Sequence, residues 1–417
     1  MVKEKQNNSS KRLFADLCNI TYLKGFVFHS PRYGDALQYE AGDVVLWIRS
    51  QLIVFKIVWR NTQLAKSSTK SFVKRIGEKR KQLIGDFDNF QTIPEQIKMI
   101  SENGETVDFA EENFRAKNFC GVIIIDSDVK LERLNYLQYK KTLENEFPIS
   151  IFTKSDFIFL TSEADTIPDL QYYFQDRYEF LKLIFEQDFE KFLDTESGIE
   201  KDLIAFYKMN NYKFPLEEWN KSPDKEFWET FQSEYKERII ERNKQNKDSF
   251  VIDDLLNHLR NNNSQQNSTI LHSWELAILT RRARAQKFAT KIIDAITKLQ
   301  NGKEFRYFSF FNQTTECWSL FVFQYGGDNE TFWQVVTKYC QLKLFYEMNH
   351  NNFRYSVFGY GFRKSSIETG NTFDHIFLCI EDTINYKELD IEKLKEANKL
   401  FGHISVGEIK EFPEDEN

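Results

Sequence analysis

The hydrophobic positions of the first 165 residues fall in short runs that predict strands. Val44 to Ile48 and Leu52 to Trp59 are two apolar runs, separated by the polar triplet Arg49-Ser50-Gln51. Both are short for helices and rich in β-branched residues, which favours a β-hairpin. A fully apolar run at 119–125 predicts a buried central strand, and 157–160 predicts another strand. We expect one mixed sheet with helices at 11–18 and 66–84 on its flanks, built from strands near 26–28, 44–48, 52–59, 121–125 and 149–152.

From residue 166 onward the apolar positions follow a helical period. Thr166 is a candidate N-cap, Pro168 suits a first helical turn, and Asp169 complements the helix dipole. Further helices are predicted at 226–244 and 274–300, separated by the low-complexity polar stretch at 261–268, where we expect a loop. The last helix begins with a second basic cluster, for which a solvated face is favoured over phosphate contact: Arg281, Arg282, Arg284 and Lys287.

The last 117 residues return to strands and predict a separate α+β unit. Strands are expected at 305–311, 317–323, 353–362 and 373–380, with helices at 331–348 and 391–401. This order suggests an antiparallel sheet with helices on one face. The predicted fold class is therefore a mixed α/β, multidomain chain with divisions at 1–165, 166–300 and 301–417.

Composition limits the classes of protein that this chain can belong to. Hydrophobic residues make up 41% and charged residues 29% of the 417 positions, as in soluble globular proteins. No apolar run is long enough for a membrane span, and the N-terminus is polar, so we expect a cytoplasmic protein without a signal peptide. The five cysteines form no CxxC pair, which gives no indication of a zinc site.

The strongest local departure from the net charge of −7 is a basic segment. Between Lys56 and Lys81 the chain carries nine Lys or Arg residues and one acid, Glu78, a balance of 9 − 1 = +8. Lys66, Lys70 and Lys74 recur every four residues, on one side of a predicted helix. A solvated lysine-rich face and a surface that binds a polyanion are both consistent with this pattern. The nucleic-acid-binding candidates on this helix are Lys70, Lys74, Arg75, Lys79, Arg80 and Gln82.

Candidate catalytic residues surround the hairpin. Glu40 and Asp43 lie at its entrance, and Lys56 lies within its second strand. Two carboxylates and a lysine at the end of a small sheet are the groups that a Mg²⁺-dependent phosphodiesterase uses. Asp126 follows the central strand and is a further metal-ligand candidate, although an Asp-Ser-Asp sequence at a strand end is also typical of a turn.

The hairpin resembles the PD-(D/E)XK (restriction-endonuclease-like) nuclease superfamily, especially its nuclease-related members in bacterial genome defence. Gly42-Asp43 matches the first half of that motif, whereas the acid position falls on Lys56 and the lysine position on Val58. The resemblance implies that Asp43 is the principal Mg²⁺ ligand, helped by Glu40 and Asp126, and that Lys56 stands in for the displaced lysine. It also implies that the following helix faces DNA with Lys79, Arg80 and Gln82.

Two hypotheses follow from the resemblance. The first is a DNA-directed nuclease-like protein of a bacterial defence or DNA-processing system, with Mg²⁺-dependent phosphodiester hydrolysis. The second is a catalytically inactive nuclease fold that binds nucleic acid or assembles with other proteins through the helical middle and the C-terminal domain. The triplet Lys56-Ile57-Val58 discriminates between them, and as written it favours the second.

Overall fold

The structure is a computed structural model that divides into two compact units, one of Met1–Arg242 with Phe412–Asn417 and one of Asn243–Glu411. The three-part division into 1–165, 166–300 and 301–417 stays a prediction. The described residues, apart from single positions between 236 and 249, are 11–19, 26–33, 37, 39–48, 51–59, 69–100, 106–108, 119–126, 144–164, 166–187, 199–221, 226–234, 289–298 except 296, 305–312, 317–351, 357–364, 375–381 and 391–401.

The first unit is built on the predicted mixed sheet. Its strands are β1 (Val27–His29), β4 (Val44–Ile48), β5 (Gln51–Trp59), β8 (Phe119–Asp126) and β9 (Ile149–Thr153), in the order β1-β4-β5-β8-β9. The first three pair antiparallel, and β5, β8 and β9 run parallel. The seven apolar residues of β8 are all buried, as its uninterrupted pattern predicts. Strands β4 and β5 therefore lie in the interior of the sheet, and each has a neighbouring strand on both sides.

The basic segment forms a long helix beside this sheet. Residues 11–18 are helical (α1), and α2 spans Thr69–Thr92, eight residues beyond its predicted end. Its inner side, with Ile76, Leu83 and Phe90 fully buried, packs on β5 and β8. The approach is close at Gly121 of β8, where an added Cβ would lie 3.1 Å from Leu83 Cδ1. The absence of a side chain at position 121 thus allows α2 to pack this closely on β8.

A second, smaller sheet was not predicted. It joins β2 (Arg32–Tyr33) and β3 (Tyr39–Glu40) to β6 (Lys98–Ile100) and β7 (Thr106–Asp108), in the order β3-β2-β6-β7. Strands of two or three residues are too short for alternation to be recognised in a sequence. This sheet carries Glu40, one of the predicted catalytic residues.

The predicted strand at 157–160 is wrong, because this segment is helical. Helix α3 spans Lys154–Glu163, and the Thr153 hydroxyl accepts a hydrogen bond of 3.1 Å from the backbone N–H of Asp156. That is an N-cap, and Phe157, Leu160 and Thr161 are buried at helical spacing. A four-residue apolar run is consistent with either structure, and the cap decides for the helix.

The predicted cap at Thr166 is confirmed. Helix α4 spans Ile167–Gln187, and the Thr166 hydroxyl accepts from the backbone N–H of Asp169 at 3.2 Å. Helices α5 (Ile199–Met209), α6 (Leu216–Lys221) and α7 (Phe227–Glu234) follow. They share an aromatic core with α4 that contains Phe180, Phe206, Trp219, Phe227 and Phe231.

The second unit has the predicted strands and helices but not the predicted pairing. Strands β10 (Phe305–Asn312), β11 (Cys317–Tyr325), β12 (Val357–Lys364) and β13 (His375–Glu381) are accompanied by α8 (Asn329–Asn351) and α9 (Ile391–Phe401). The outer pairs are antiparallel, but β11 and β12 are parallel. The prediction of an antiparallel sheet is therefore wrong for the central pair. Helix α8 is a crossover connection between β11 and β12, which allows both strands to run in the same direction.

Several expected features lie outside the described residues. These are the loop at 261–268, the basic cluster at 281–287 and the side chain of Lys70. Helical residues 289–295 agree with the predicted helix at 274–300. Across the described residues, none of the helices has the length and apolar character that crossing a membrane requires.

The turn before β4 depends on Gly42, which gives the first prediction. Gly42 has φ +106°, and an added Cβ would lie 2.9 Å from Val54 Cγ1. We expect Gly42→Ala to lower the free energy of unfolding by about 1–3 kcal/mol. The measurement is urea unfolding followed by tryptophan fluorescence.

Gly85→Ala is the matched control. Gly85 lies within α2, and among the described residues nothing stands within 4 Å of an added Cβ. Alanine is the better helix former by about 1 kcal/mol, so Gly85→Ala is expected to stabilise the protein. Equal stability of Gly42→Ala and the unaltered protein would contradict the assigned turn.

Candidate functional site

Asp43 is held in a fixed position at the start of β4. Its backbone N–H donates to Phe55 O at 2.9 Å, and its Oδ2 accepts from the backbone N–H of Ile57 at 2.6 Å. These two bonds bracket Lys56 on the neighbouring strand. The predicted pair of Asp43 and Lys56 therefore lies together, on the side of the sheet that α2 covers.

Lys56 is committed to an ion pair with α2. Its Nζ lies 2.8 Å from Asp86 Oδ2, and the two side chains are only 5% and 6% exposed. Asp86 occupies a position on the inner side of α2, three residues after Leu83 and four before Phe90. Taking both charges out of water is costly unless they pair, so the two residues depend on each other.

A second ion pair lies beside the first. Lys79 Nζ is 3.5 Å from Asp43 Oδ2, with side chains 15% and 13% exposed. Lys79 and Asp86 are seven residues apart and so lie on one side of α2. Asp43, Lys56, Lys79 and Asp86 form what we call the junction cluster, with two carboxylates and two ammonium groups.

Burial dominates the protonation of Asp86. It raises the pKa of the Asp86 carboxyl from 3.8 to about 6, against the attraction of Lys56. The charge of Asp43 is close enough to raise the Asp86 pKa further, and Lys79 lowers it. The four residues therefore act as one electrostatic group.

The other predicted metal ligands lie elsewhere. Glu40 belongs to the small sheet, where its side chain is half exposed and lies 3.5 Å from Arg32. Asp126 is aligned with Trp59, three residues beyond the Ile123 that is aligned with Lys56. Because side chains alternate along a strand, Asp126 points to the opposite face from Lys56. Glu40 and Asp126 therefore do not join Asp43 and Lys56.

A magnesium ion does not fit the predicted ligand set as it is arranged. No group of three or more His, Cys, Asp or Glu residues that could hold a metal ion occurs in the part of the chain that the structure describes. The two carboxylates at the junction, Asp43 and Asp86, each lie within ion-pair distance of a lysine. Val58, at the position where the superfamily has its lysine, is buried in β5.

The predicted DNA-facing residues of α2 divide between its two sides. Lys79 points inward to Asp43, and Arg80 donates to Asn145 Oδ1 at 3.0 Å. Lys74, Arg75 and Gln82 are exposed, as is Lys81. Lys70 lies in α2, but its side chain is outside the described residues. The helix therefore has a basic outer face of Lys74, Arg75, Lys81 and Gln82.

Sequence reasoning missed Asp86. Its spacing along the helix could have identified it, because Asp86 lies on the same, largely apolar side as Lys79, Leu83 and Phe90. An acid on the buried side of a helix needs an oppositely charged partner. Lys56 was the one lysine predicted inside the sheet and was therefore the candidate partner.

Comparison with known proteins adds no identification. No protein-family model matches the chain, and no curated protein or solved structure matches it either.

The raised pKa of Asp86 predicts a pH dependence of stability. A carboxyl with a higher pKa in the folded state than in the unfolded chain binds its proton more tightly when folded, so stability is lost as the pH rises from about 4 to about 6. Asp86→Asn removes this titration. We expect the difference in free energy of unfolding between wild type and Asp86→Asn to change by on the order of 2–3 kcal/mol across that window.

Urea unfolding at a series of pH values measures this difference. Asp88→Asn, at an exposed position on the same helix, is the matched control. Stability curves for wild type and Asp86→Asn that run parallel between pH 4 and 6 would show that folding does not raise the pKa of Asp86.

Proposed function

We propose that this chain binds DNA along the basic outer face of α2, and that its nuclease-like junction cluster holds the fold together rather than hydrolysing phosphodiesters. The observation that carries the proposal is the split of charges on α2. The cations that could serve catalysis, Lys56 and Lys79, are paired with Asp86 and Asp43. Lys74, Arg75 and Lys81 are exposed on the same helix.

The outer face has the charge that a phosphate backbone requires. Lys74 Nζ lies 3.9 Å from Glu78 Oε1, and the two side chains are 77% and 56% exposed. Such exposed pairs contribute little to stability, so a phosphate can replace Glu78 at small cost. In a chain of net charge −7, this local surface directs a polyanion to α2.

The junction cluster is poorly arranged for hydrolysis. A lysine that orients water and stabilises phosphate must reach the substrate, whereas Lys56 is buried against Asp86. Removing Asp86 from that pair would leave the Lys56 charge buried without its counter-ion. The role in a bacterial defence or DNA-processing system that the family resemblance implies is part of the same proposal.

One observation favours Mg²⁺-dependent hydrolysis as a second candidate function. Asp86 adds a carboxylate close enough to Asp43 for the two charges to interact, and Lys56 Nζ lies 2.8 Å from Asp86 Oδ2. Two carboxylates and a lysine are the residue types that the superfamily uses. The cleavage experiment below distinguishes this candidate from binding alone.

Charge reversal on the outer face tests the binding. Lys74→Glu with Arg75→Glu and Lys81→Glu is expected to abolish binding of labelled duplex DNA in fluorescence anisotropy, with an unchanged unfolding midpoint. The wild-type dissociation constant should rise steeply with salt, because each neutralised phosphate contributes a log–log slope of about 0.9.

A control variant carries the same change in net charge at other positions. Lys182, Lys213 and Lys236 are exposed on the helical part of the same unit, and reversing all three to Glu should leave most of the affinity. Equal loss in both triple variants, or a wild-type affinity insensitive to salt, would contradict binding at α2.

Incubation of labelled DNA with Mg²⁺ or Mn²⁺ separates the two candidate functions. We expect no cleavage by the wild-type protein, and no change in DNA affinity for Asp43→Ala beyond about twofold, because Asp43 lies on the inner side of α2. Metal-dependent cleavage that disappears in both Asp43→Ala and Asp86→Ala, while both variants remain folded and keep their DNA affinity, would instead establish the junction cluster as a hydrolytic centre.

A further inference from the structure

Two tyrosines form a stacked pair on the small sheet. Tyr33 of β2 and Tyr39 of β3 are directly opposite each other in an antiparallel register. Their ring centroids are 5.3 Å apart with an interplanar angle of 29°. Tyr39 is 53% exposed, so one face of its ring is supported by Tyr33 while the side chain remains open to solvent.

The pair is fixed to the same helix that carries the basic outer face. Tyr33 Oη accepts a hydrogen bond of 3.0 Å from Asn89 Nδ2 of α2. Arg75, Gln82 and Asn89 recur every seven residues, close to two helical turns, and so follow one side of the helix. Arg75 and Asn89 are about 21 Å apart along the axis. The tyrosine pair therefore lies at one end of a polar and basic track.

The ion-paired residues Arg32 and Glu40 of the small sheet do not lie on the tyrosine side. Arg32 and Glu40 are opposite each other in the adjacent register position, and alternation places their side chains on the other face of the sheet. The Glu40 carboxylate consequently does not stand between Tyr39 and an approaching phosphate backbone.

We propose that the Tyr39 ring, supported by Tyr33, is a stacking platform for an unpaired base, and that the nucleic acid bound on α2 is single-stranded or has an unpaired end. This inference rests on the proposed function and specifies its ligand. Flat aromatic side chains beside a cationic track are the arrangement that binds single strands without sequence preference. Bases within a duplex are already stacked on both faces and offer Tyr39 no free ring.

A purely structural role of the tyrosine pair predicts a different effect of mutation. Cross-strand aromatic pairs stabilise two-stranded segments, and such a pair contributes to stability whether or not DNA is present. In the proposed platform the exposed Tyr39 ring contacts a base. Removal of that ring must therefore weaken binding of a single strand more than binding of a duplex.

Fluorescence anisotropy with a labelled oligothymidine strand and a duplex of the same length tests the platform in the full-length protein. Tyr39→Ala should weaken single-strand binding by at least about fivefold, the lower end of what one stacked base contributes. Duplex affinity should be unchanged, and Tyr39→Phe should bind both as the wild type does. Tyr39→Leu keeps an apolar side chain without a flat ring and replaces the alanine variant if that variant is unstable.

A second readout reports stacking directly. A strand carrying 2-aminopurine should lose fluorescence on binding to the wild type and to Tyr39→Phe, but not to Tyr39→Ala or Tyr39→Leu. Equal affinities of wild type and Tyr39→Ala for the single strand, or equal loss for strand and duplex, would overturn the platform.

The two proposals fail in different ways. If charge reversal of Lys74, Arg75 and Lys81 leaves both DNA forms bound, binding at α2 is wrong and the platform falls with it. If that triple variant loses both forms while Tyr39→Ala loses neither, the platform alone is overturned.

Discussion

The ion pair between Lys56 and Asp86 is the contact on which the first unit depends. Lys56 lies in the middle of the sheet and Asp86 on the inner side of α2, and both are almost completely buried. Each charge alone would cost several kcal/mol to desolvate. Only one docking position of α2 brings the carboxylate to the ammonium group, so the pair selects that position from others that apolar contacts alone would also permit. The hydrogen bond from Ile57 N–H to Asp43 then joins β4 to the same point.

Most strands of the two large sheets could be predicted from the sequence because their residues are mainly apolar, β-branched or aromatic over five or more positions. Strand β8, buried throughout, is the clearest example. Helix α3 was missed because Phe157 to Leu160 has no period that separates strand from helix, and the deciding contact is the cap at Thr153. The parallel pairing of β11 and β12 was missed because strand direction depends on where α8 returns the chain, which local pattern does not encode.

The candidate site was predictable only where residue type and turn chemistry coincided. Gly42-Asp43 before a strand and Lys56 within the next one were identified, and the structure brings Asp43 and Lys56 together. Asp86 was not, because the predicted helix ended at residue 84 and left Asp86 outside it. Lys79 was predicted to face DNA, whereas its ammonium group lies 3.5 Å from Asp43 on the inner side of the helix. It belongs to the same basic run as Lys74 and Arg75, and only the rotation of the helix against the sheet separates the inner cation from the outer ones.

This separation gives the two sides of α2 different electrostatics. Salt screens interactions between exposed charges over about 8–10 Å at physiological ionic strength, but it hardly reaches a pair buried between sheet and helix. Phosphate contacts of Lys74, Arg75 and Lys81 would consequently weaken with salt, while the attraction between Lys56 and Asp86 would persist. Under the proposed function, a polyanion would therefore leave the outer face at high salt while α2 stays attached to the sheet. The buried apolar contacts of Ile76, Leu83 and Phe90 with the sheet are likewise insensitive to the screening of surface charge, so they and the buried ion pair hold the helix under the same conditions.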